Sequence, residues 1–440
     1  MKEIHLRIYE AGDPRVEELL AGRAEMASEA ESEVAKICAA VKERGDAAVI
    51  EYTARFGGPK LEPGQLTVSG DEIREAYRQV GGEFLAALRA ARHNIASFHR
   101  RQLRQSWFVT GEDGVVLGQL VRPVRRAGIY VPGGKAAYPS SVLMNAVPAR
   151  VAGVKEIAMA TPPAPDGSVN PHTLVAAAEA GVEEIYRMGG AQAVAALAFG
   201  TETVRRVDVI TGPGNIYVTL AKKYVTGWTG IDMLAGPSEV VIVADRTADP
   251  VFVAADLLSQ AEHDEMASAI LITPCRELAQ KVAVEAAALA RRLPRREIIA
   301  SSLAGAGAVI VTGSLEEAFE VANRLAPEHL ELMVAEPFCW LWRVENAGAV
   351  FLGSHSPEPV GDYLAGPNHI LPTGGTARFC SPLGVDTFLK KTSLISYTPR
   401  ALEKAGREVM VLAETEGLAA HAAAVAVRLE RYGQDKSKRE

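Results

Sequence analysis

The sequence predicts an α/β protein: two parallel sheets in succession, with a helical N-terminal region that covers one of them. Three observations lead there. From residue 115, short β-rich runs alternate with alanine-rich helical runs, the pattern of strand–helix–strand units joined by right-handed crossovers. A second series of the same kind follows the first. The length of 440 residues also exceeds one ordinary domain, so two or more are expected.

Taken in order, the N-terminal part reads helical to about residue 110. "SEAESEVAKICAAVKERGDAAVIEYTARFGG" and "DEIREAYRQVGGEFLAALRAARHNIASFHRRQL" carry apolar residues at helical period, the former closing on glycines. Their many Arg and Glu residues read as exposed helix faces. The first α/β series runs "VVLGQLV", "AGIYVPGG", "EIAMATPP", "EIYRMGG" and "VDVITGPGN". Between its strands lie "NPHTLVAAAEAG", with Asn170 as N-cap, Pro171 as first helical residue and Gly181 as stop, and "AQAVAALAFG". The second series is "SEVVIVAD", "SAILITP", "GAVIVTG", "LELMVA" and "AGAVFLG". Strands of the first series end in glycine- and proline-rich turns. Ligands of open α/β sheets bind beyond such strand ends, and backbone-exposing turns before helix N-termini suit phosphate. No G-x-G-x-x-G occurs, and "GAGAVI" at Gly305 lacks the third glycine. A generic tight turn and a phosphate cradle both remain open readings.

Apolar residues make up 48% and charged residues 23%, the profile of a soluble globular protein. A net charge of −7 argues against nucleic acid or an anionic membrane as partner. No apolar run approaches a membrane span, and "MKEIHLRIYEAGD" lacks an apolar signal core, so a cytoplasmic location is expected. Cys38, Cys275, Cys339 and Cys380 form no C-x-x-C pair. They are expected to be reduced and structural; a nucleophilic cysteine is the alternative, with nothing local to support it.

Four stretches carry candidate chemistry. In "DLLSQAEHDEMASAILIT", Gln260 and His263 sit three apart on one face of a helix end. They read either as a solvated helix terminus or as half of a metal site. "RLAPEHLEL" offers Glu328 and His329, the side-chain types of general acids and bases. Consecutive strand residues point to opposite faces, so a shared role demands irregular backbone near Pro327. "GDYLAGPNHILPTGG" holds Asp362, a ligand or a turn cap, and His369, a backbone contact. In "ETEGLAAHAAAVAVRLERY", His421 falls on an apolar helical stripe with Leu418, Val425 and Leu429, where a buried histidine is expected in isolation. His5, His93, His99, His172 and His355 suggest only surface or core placement.

Together these stretches are far more specific than any one. "AGIYVPGGKAAYPSSVLMNAVPARVAGV", "GGAQAVAALAFGT", "TGPGNIYV", "GIDMLAGPSEVVIVAD", "VAADLLSQAEHD", "APEHLEL", "GDYLAGPNHILPT" and "EGLAAH" occur in one order from about residue 20 to 430. By them the chain closely resembles the histidinol dehydrogenase family. The resemblance implies two incomplete Rossmann-like parallel-sheet domains, one discontinuous (25–128 plus 238–383) and one continuous (129–237). It adds an N-terminal helical segment (1–24) and a C-terminal tail domain (384–440) that crosses to the partner of an intertwined homodimer. It implies one zinc ion per subunit, held by Gln260, His263, Asp362 and His421, and an acid–base pair of Glu328 and His329. Ser238 and Glu416 join the metal ligands and His329 as substrate contacts, and Tyr130, Gln192 and Asn215 take NAD contacts. The implied reaction is the four-electron oxidation of L-histidinol through its aldehyde and gem-diol. A relative acting on another small alcohol, such as a sulfonated diol, is the alternative. His329 is expected to take the hydroxyl proton as the base, on the ground that an unperturbed imidazole titrates near neutrality, and Glu328 to activate the water that hydrates the aldehyde.

Overall fold

The protein is described here by a computed structural model covering residues 6–20, 28–133 and 137–437; His5 lies outside them. The chain enters through strand β1 (Ile8–Glu10) and helix α1 (Pro14–Leu20). Four helices follow: α2 (Ser28–Arg44), α3 (Asp46–Arg55), α4 (Gly70–Gln79) and α5 (Gly82–Arg100). Strands β2 (Trp107–Thr110) and β3 (Val116–Pro123) precede the first α/β series. That series is β4 (Arg126–Tyr130), α6 (Pro139–Ala152), β5 (Glu156–Thr161), α7 (Pro171–Glu179), β6 (Glu184–Arg187), α8 (Gly190–Phe199), β7 (Val209–Thr211), α9 (Ile216–Val225) and β8 (Gly230–Ile231). The second comprises β9 (Glu239–Ala244), α10 (Pro250–Ala261), β10 (Ser268–Thr273), α11 (Arg276–Ala290), α12 (Arg296–Ala306), β11 (Gly307–Val311), α13 (Leu315–Leu325), β12 (His329–Met333) and β13 (Ala349–Leu352). The tail holds β14 (Leu389–Ser396), α14 (Pro399–Thr415) and α15 (Ala419–Ser437).

Two compact units result, one of residues 1–102 and 124–388 and one of residues 103–123 and 389–440. The larger unit contains both parallel sheets. One has the order β6-β5-β4-β7-β8, the other β1-β11-β10-β9-β12-β13. The helical reading of the N-terminus misses β1, which pairs with β11 at the edge of the six-stranded sheet. A three-residue strand is too short to show a two-residue period, and its partner lies about three hundred residues away.

Alternation along β9 explains the two cores of the six-stranded sheet. Val240, Ile242 and Ala244 face the layer of α10, α11 and α12. Val241 and Val243 face α13 and Val16 of α1. A strand buried on both faces reads as a continuous apolar run, as "VVIVA" does. Caps fix the helix starts: Asn170 accepts from His172 N at 2.9 Å, and Asp249 from Val251 N at 2.8 Å. The N-terminal helices cover the five-stranded sheet, α2 lying on α8 and α9, α4 on α7, and α5 on α6.

In the smaller unit, β3 is the centre of an antiparallel sheet with β2 and β14. The C-terminal segment therefore folds with a hairpin drawn from residues 103–123. Asp113 pins it, pairing with Arg400 at 2.7 Å and Lys404 at 2.5 Å, while α14 and α15 pack together. Among the described residues, no helix is long and apolar enough to cross a membrane.

A charged cluster ties β4 to β6. Arg126 donates to both carboxylate oxygens of Glu184, at 3.0 and 2.7 Å, and Arg205 adds a contact at 2.5 Å. Burial would raise the Glu184 carboxyl, but hydrogen bonds from Arg126, Tyr186 and Arg205 outweigh it and hold it down at about 2. A depressed carboxyl adds stability above its unfolded pKa, which is lost as pH falls toward the folded value. Glu184→Gln should cost about 2 kcal/mol at pH 7, discounted because the group is partly exposed. Urea unfolding should show that gap constant above about pH 5 and closing below about pH 4. A gap independent of pH would mean that the charge is not the source.

Candidate functional site

The five-stranded sheet has a topological switch point. The chain steps outward from β4 to β5 to β6, then returns to the far side of β4 for β7 and β8. Beyond the carboxyl ends of these strands lies a cavity of about 1000 Å³, where open α/β sheets bind ligands. Tyr130, Gln192 and Asn215 all line it, together with Pro162, Gly189 and Gly190. The first turns of α7, α8 and α9 open on it, and the positive ends of their helix dipoles favour an anionic ligand. Tyr130 Oη accepts from Gly190 N at 3.0 Å, and Gly190 has φ +64°, a left-handed conformation suited to glycine. Asn215 Oδ1 caps α9 by accepting from Tyr217 N and Val218 N at 3.1 and 3.2 Å. Gln192 is buried, and its Oε1 has no partner among the described residues, so a polar donor on a ligand would satisfy it. None of the cavity-lining residues is a cysteine. Cys38 is packed in the core, with burial pushing its thiol up to about 12.

A second polar cluster forms at the six-stranded sheet. Strand β12 pairs with β9 so that His329 lies opposite Val240. Glu328 and His329 thereby both reach Glu239: Glu239 N donates to Glu328 Oε2 at 3.0 Å, and His329 Nδ1 donates to the Glu239 carbonyl at 3.0 Å. The backbone irregularity sits at Ala326, φ +49°, one residue before Pro327. His329 Nδ1 lies 3.8 Å from Glu328 Oε2, and His329 Nε2 is buried without a partner among the described residues. The Ser238 hydroxyl also bonds to Glu328.

Gln260, the penultimate residue of α10, is fully buried, three residues before His263. Its amide suits both neighbours when the oxygen accepts from His263 Nδ1 at 3.0 Å and the nitrogen donates to Glu358 at 3.1 and 3.3 Å. Asp362 lies in a π-helical turn, Gly361–Ala365, a geometry frequent at functional sites. His369 Nδ1 donates to the Asp362 carbonyl at 3.0 Å, and Asn368 Nδ2 donates to Met144 O of α6 at 2.6 Å, fixing that loop. Ligand atoms of His329, Glu358 and Asp362 all lie within 4.8 Å of one another.

Gln260, His263, Glu328, His329, Asp362 and Ser238 are thus linked through one web of contacts. Glu416 and His421 belong to the smaller unit, and both are exposed. The stripe reading of His421 as a buried histidine is corrected accordingly: α14 packs on Ala422, Val425 and Leu429 of α15, and leaves Leu418 and His421 exposed. Sequence reasoning missed Glu358, which stands one turn before Asp362 in "PEPVGD", and behind it Glu331 and Asp256. Glu358 N donates to Glu331 Oε1 at 3.1 Å, and Asp256 bonds to Glu331. The i, i+4 spacing of Glu358 and Asp362 was the available signal, masked by flanking prolines.

Burial drives the site's electrostatics. It lowers His329 to about 3, the bond to Glu239 opposing and the neighbouring His263 and His369 assisting. The expected titration near neutrality is therefore corrected: the ring is held uncharged. Burial raises Glu328 well above the usual carboxylate range, with Asp362 adding repulsion. It also raises Asp362 to about 6, moderated by His263. A buried set of amide, imidazole and carboxylate donors fits a divalent cation, whose charge would return the carboxyls to their ionised form.

Known proteins share this architecture. A family model described as histidinol dehydrogenase matches residues 21–429. The chain is 62% identical over 397 residues to the histidinol dehydrogenase of Moorella thermoacetica, covering 90% of this chain and 94% of the relative. It is 60% identical over 399 residues to that of Heliobacterium mobile, covering 91% and 93%. The crystal structure of histidinol dehydrogenase from Elizabethkingia anophelis superposes with a TM-score of 0.92 at 38% identity, over 98% of this chain and 100% of that one.

The contact between Glu358 and the Gln260 amide yields a test. Glu358→Leu removes the acceptor that orients the amide, and should weaken divalent-cation binding, probed with Zn²⁺, about 10–100-fold. Competition against a chromogenic chelator measures this, and unchanged affinity would separate Glu358 from the metal.

Proposed function

The chain belongs to the histidinol dehydrogenase family, and from that premise we propose that it oxidises L-histidinol to L-histidine in two NAD-linked steps at one site, the last two of histidine biosynthesis. With R for the rest of the substrate, RCH₂OH + 2 NAD⁺ + H₂O → RCOO⁻ + 2 NADH + 3 H⁺. The carrying observation is the pair at β12: an uncharged imidazole with one nitrogen tied down, beside a carboxyl raised by burial. Groups whose environments push their pKa values apart mark acid–base sites.

His329 donates through Nδ1 to the Glu239 carbonyl, which leaves Nε2 as the proton acceptor. Loss of hydride from an alcohol needs electron density on its oxygen, so Nε2 takes the hydroxyl proton as the hydride departs. The aldehyde has no hydroxyl and must first add water. Glu328, in its ionised form, takes a proton from that water while the protonated His329 returns its proton to the aldehyde oxygen, giving the gem-diol, and the freed His329 acts as base a second time. Such help is typically worth ~10²–10⁴-fold in rate. Bound zinc would supply a fixed anchor for the substrate's imidazole and amine nitrogens, and NAD the hydride acceptor. Gln260, His263 and Asp362 would hold the metal with His421 of the partner subunit, while Ser238 and Glu416 of the partner subunit contact the substrate. NAD would occupy the cavity bounded by Tyr130, Gln192 and Asn215.

Two features support a second copy of the chain as the partner. His421 and Glu416 are exposed on their own unit. That unit also exposes large apolar side chains, with Ile395 70%, Phe108 69% and Leu412 66% accessible, which suit an interface rather than water. A cytoplasmic setting forms part of the same proposal.

Counting NADH against substrate tests the activity: about two should form per histidinol, none with a sulfonated diol, and none after chelation until zinc is restored. Full turnover in metal-free protein would remove the metal's role. Mixing His421→Ala and Glu328→Gln subunits tests the crossover. Random pairing should restore about a quarter of wild-type activity, whereas silent heterodimers would mean that each chain completes its own site.

A further inference from the structure

Lys222 of α9 and Asp232, just beyond β8, form an ion pair at 2.6 Å with side chains only 3% and 1% exposed. Neither lines the cavity. Both also bond the same third residue: Lys222 Nζ donates to the Gly212 carbonyl at 2.5 Å, and Gly212 N donates to Asp232 Oδ2 at 2.8 Å. Asp232 Oδ1 also accepts from Met233 N at 2.7 Å. Gly212 has φ +118°, and a Cβ there would collide with the Tyr130 carbonyl. Three residues on, Asn215 caps α9. The pair therefore grips the turn that sets Asn215 against Tyr130, the two sides of the switch-point crevice.

A buried ion pair rarely adds net stability over an apolar pair of similar size, so its use here is better explained by the geometry it holds. We infer that Lys222 and Asp232 are positioning residues for the dinucleotide, acting through Gly212 without touching the ligand. This rests on the cavity being the NAD site. The clamp holds a turn whose loosening would misplace both Tyr130 and Asn215, while the β12 cluster, on the other sheet, would be unaffected.

The test is NADH binding by nicotinamide fluorescence, with histidinol binding to the zinc-loaded full chain by calorimetry. Lys222→Met/Asp232→Leu keeps the volume and removes the grip; its NADH Kd should rise about tenfold, with histidinol affinity within about twofold. Lys222→Gln/Asp232→Asn retains a donor and an acceptor for Gly212 and should bind NADH within about threefold of wild type. An unchanged NADH Kd in the first variant, equal weakening of both ligands, or failure of the second variant to retain NADH would each overturn the clamp. Wild-type protein that bound no NADH would instead remove the cofactor site, and the inference with it.

Discussion

The parallel pairing of β12 with β9 is the constraint on which the rest depends. It sets His329 opposite Val240 and brings Glu328 and His329 onto the backbone of Glu239. That register is enforced from elsewhere. Residues of β9 alternate between two buried layers, so a slip by one residue would exchange both faces at once. The apolar interior of the sheet thus holds two polar side chains in place at the amino ends of β9 and β12, and those side chains need no flexible loop to meet.

Burial then gives these groups their chemical character. An imidazole taken out of water loses affinity for a proton, and a carboxyl gains it. His329 and Glu328, adjacent in the chain and 3.8 Å apart, move in opposite directions for the same reason. Asp362, Glu358, Glu331 and Asp256 crowd further carboxyls into the same web. So many acids packed together are costly unless hydrogen-bonded or countered by positive charge. Gln260, with one donor toward Glu358 and one acceptor toward His263, joins the acidic side of the web to the imidazole side.

The switch-point cavity follows a different logic. It is lined by backbone and caps rather than by a glycine fingerprint: three helix N-termini, a tyrosine hydroxyl on a glycine amide, and an asparagine already engaged as a cap. Its geometry depends on groups behind the surface. A buried lysine and aspartate act on Gly212, and Gly212 abuts Tyr130.

Period and punctuation determined much of this protein without a structure. The alternation of β-rich and helical runs gave two parallel sheets, and Asn170–Pro171 marked a helix start, because strand and helix periods and cap preferences are local properties of the backbone. Candidate side chains were legible for the same reason: Gln260 with His263 and Glu328 with His329 are neighbours in the chain. What tertiary structure alone decided depends on distance and dielectric. Strand β1 was invisible because its identity comes from β11. Glu358 gained meaning only when burial set it against Gln260, and His329 lost its ordinary pKa only when the sheet closed over it. The exposure of His421 likewise depended on which face α14 covers, because a stripe of apolar residues names a helix face and not what packs on it.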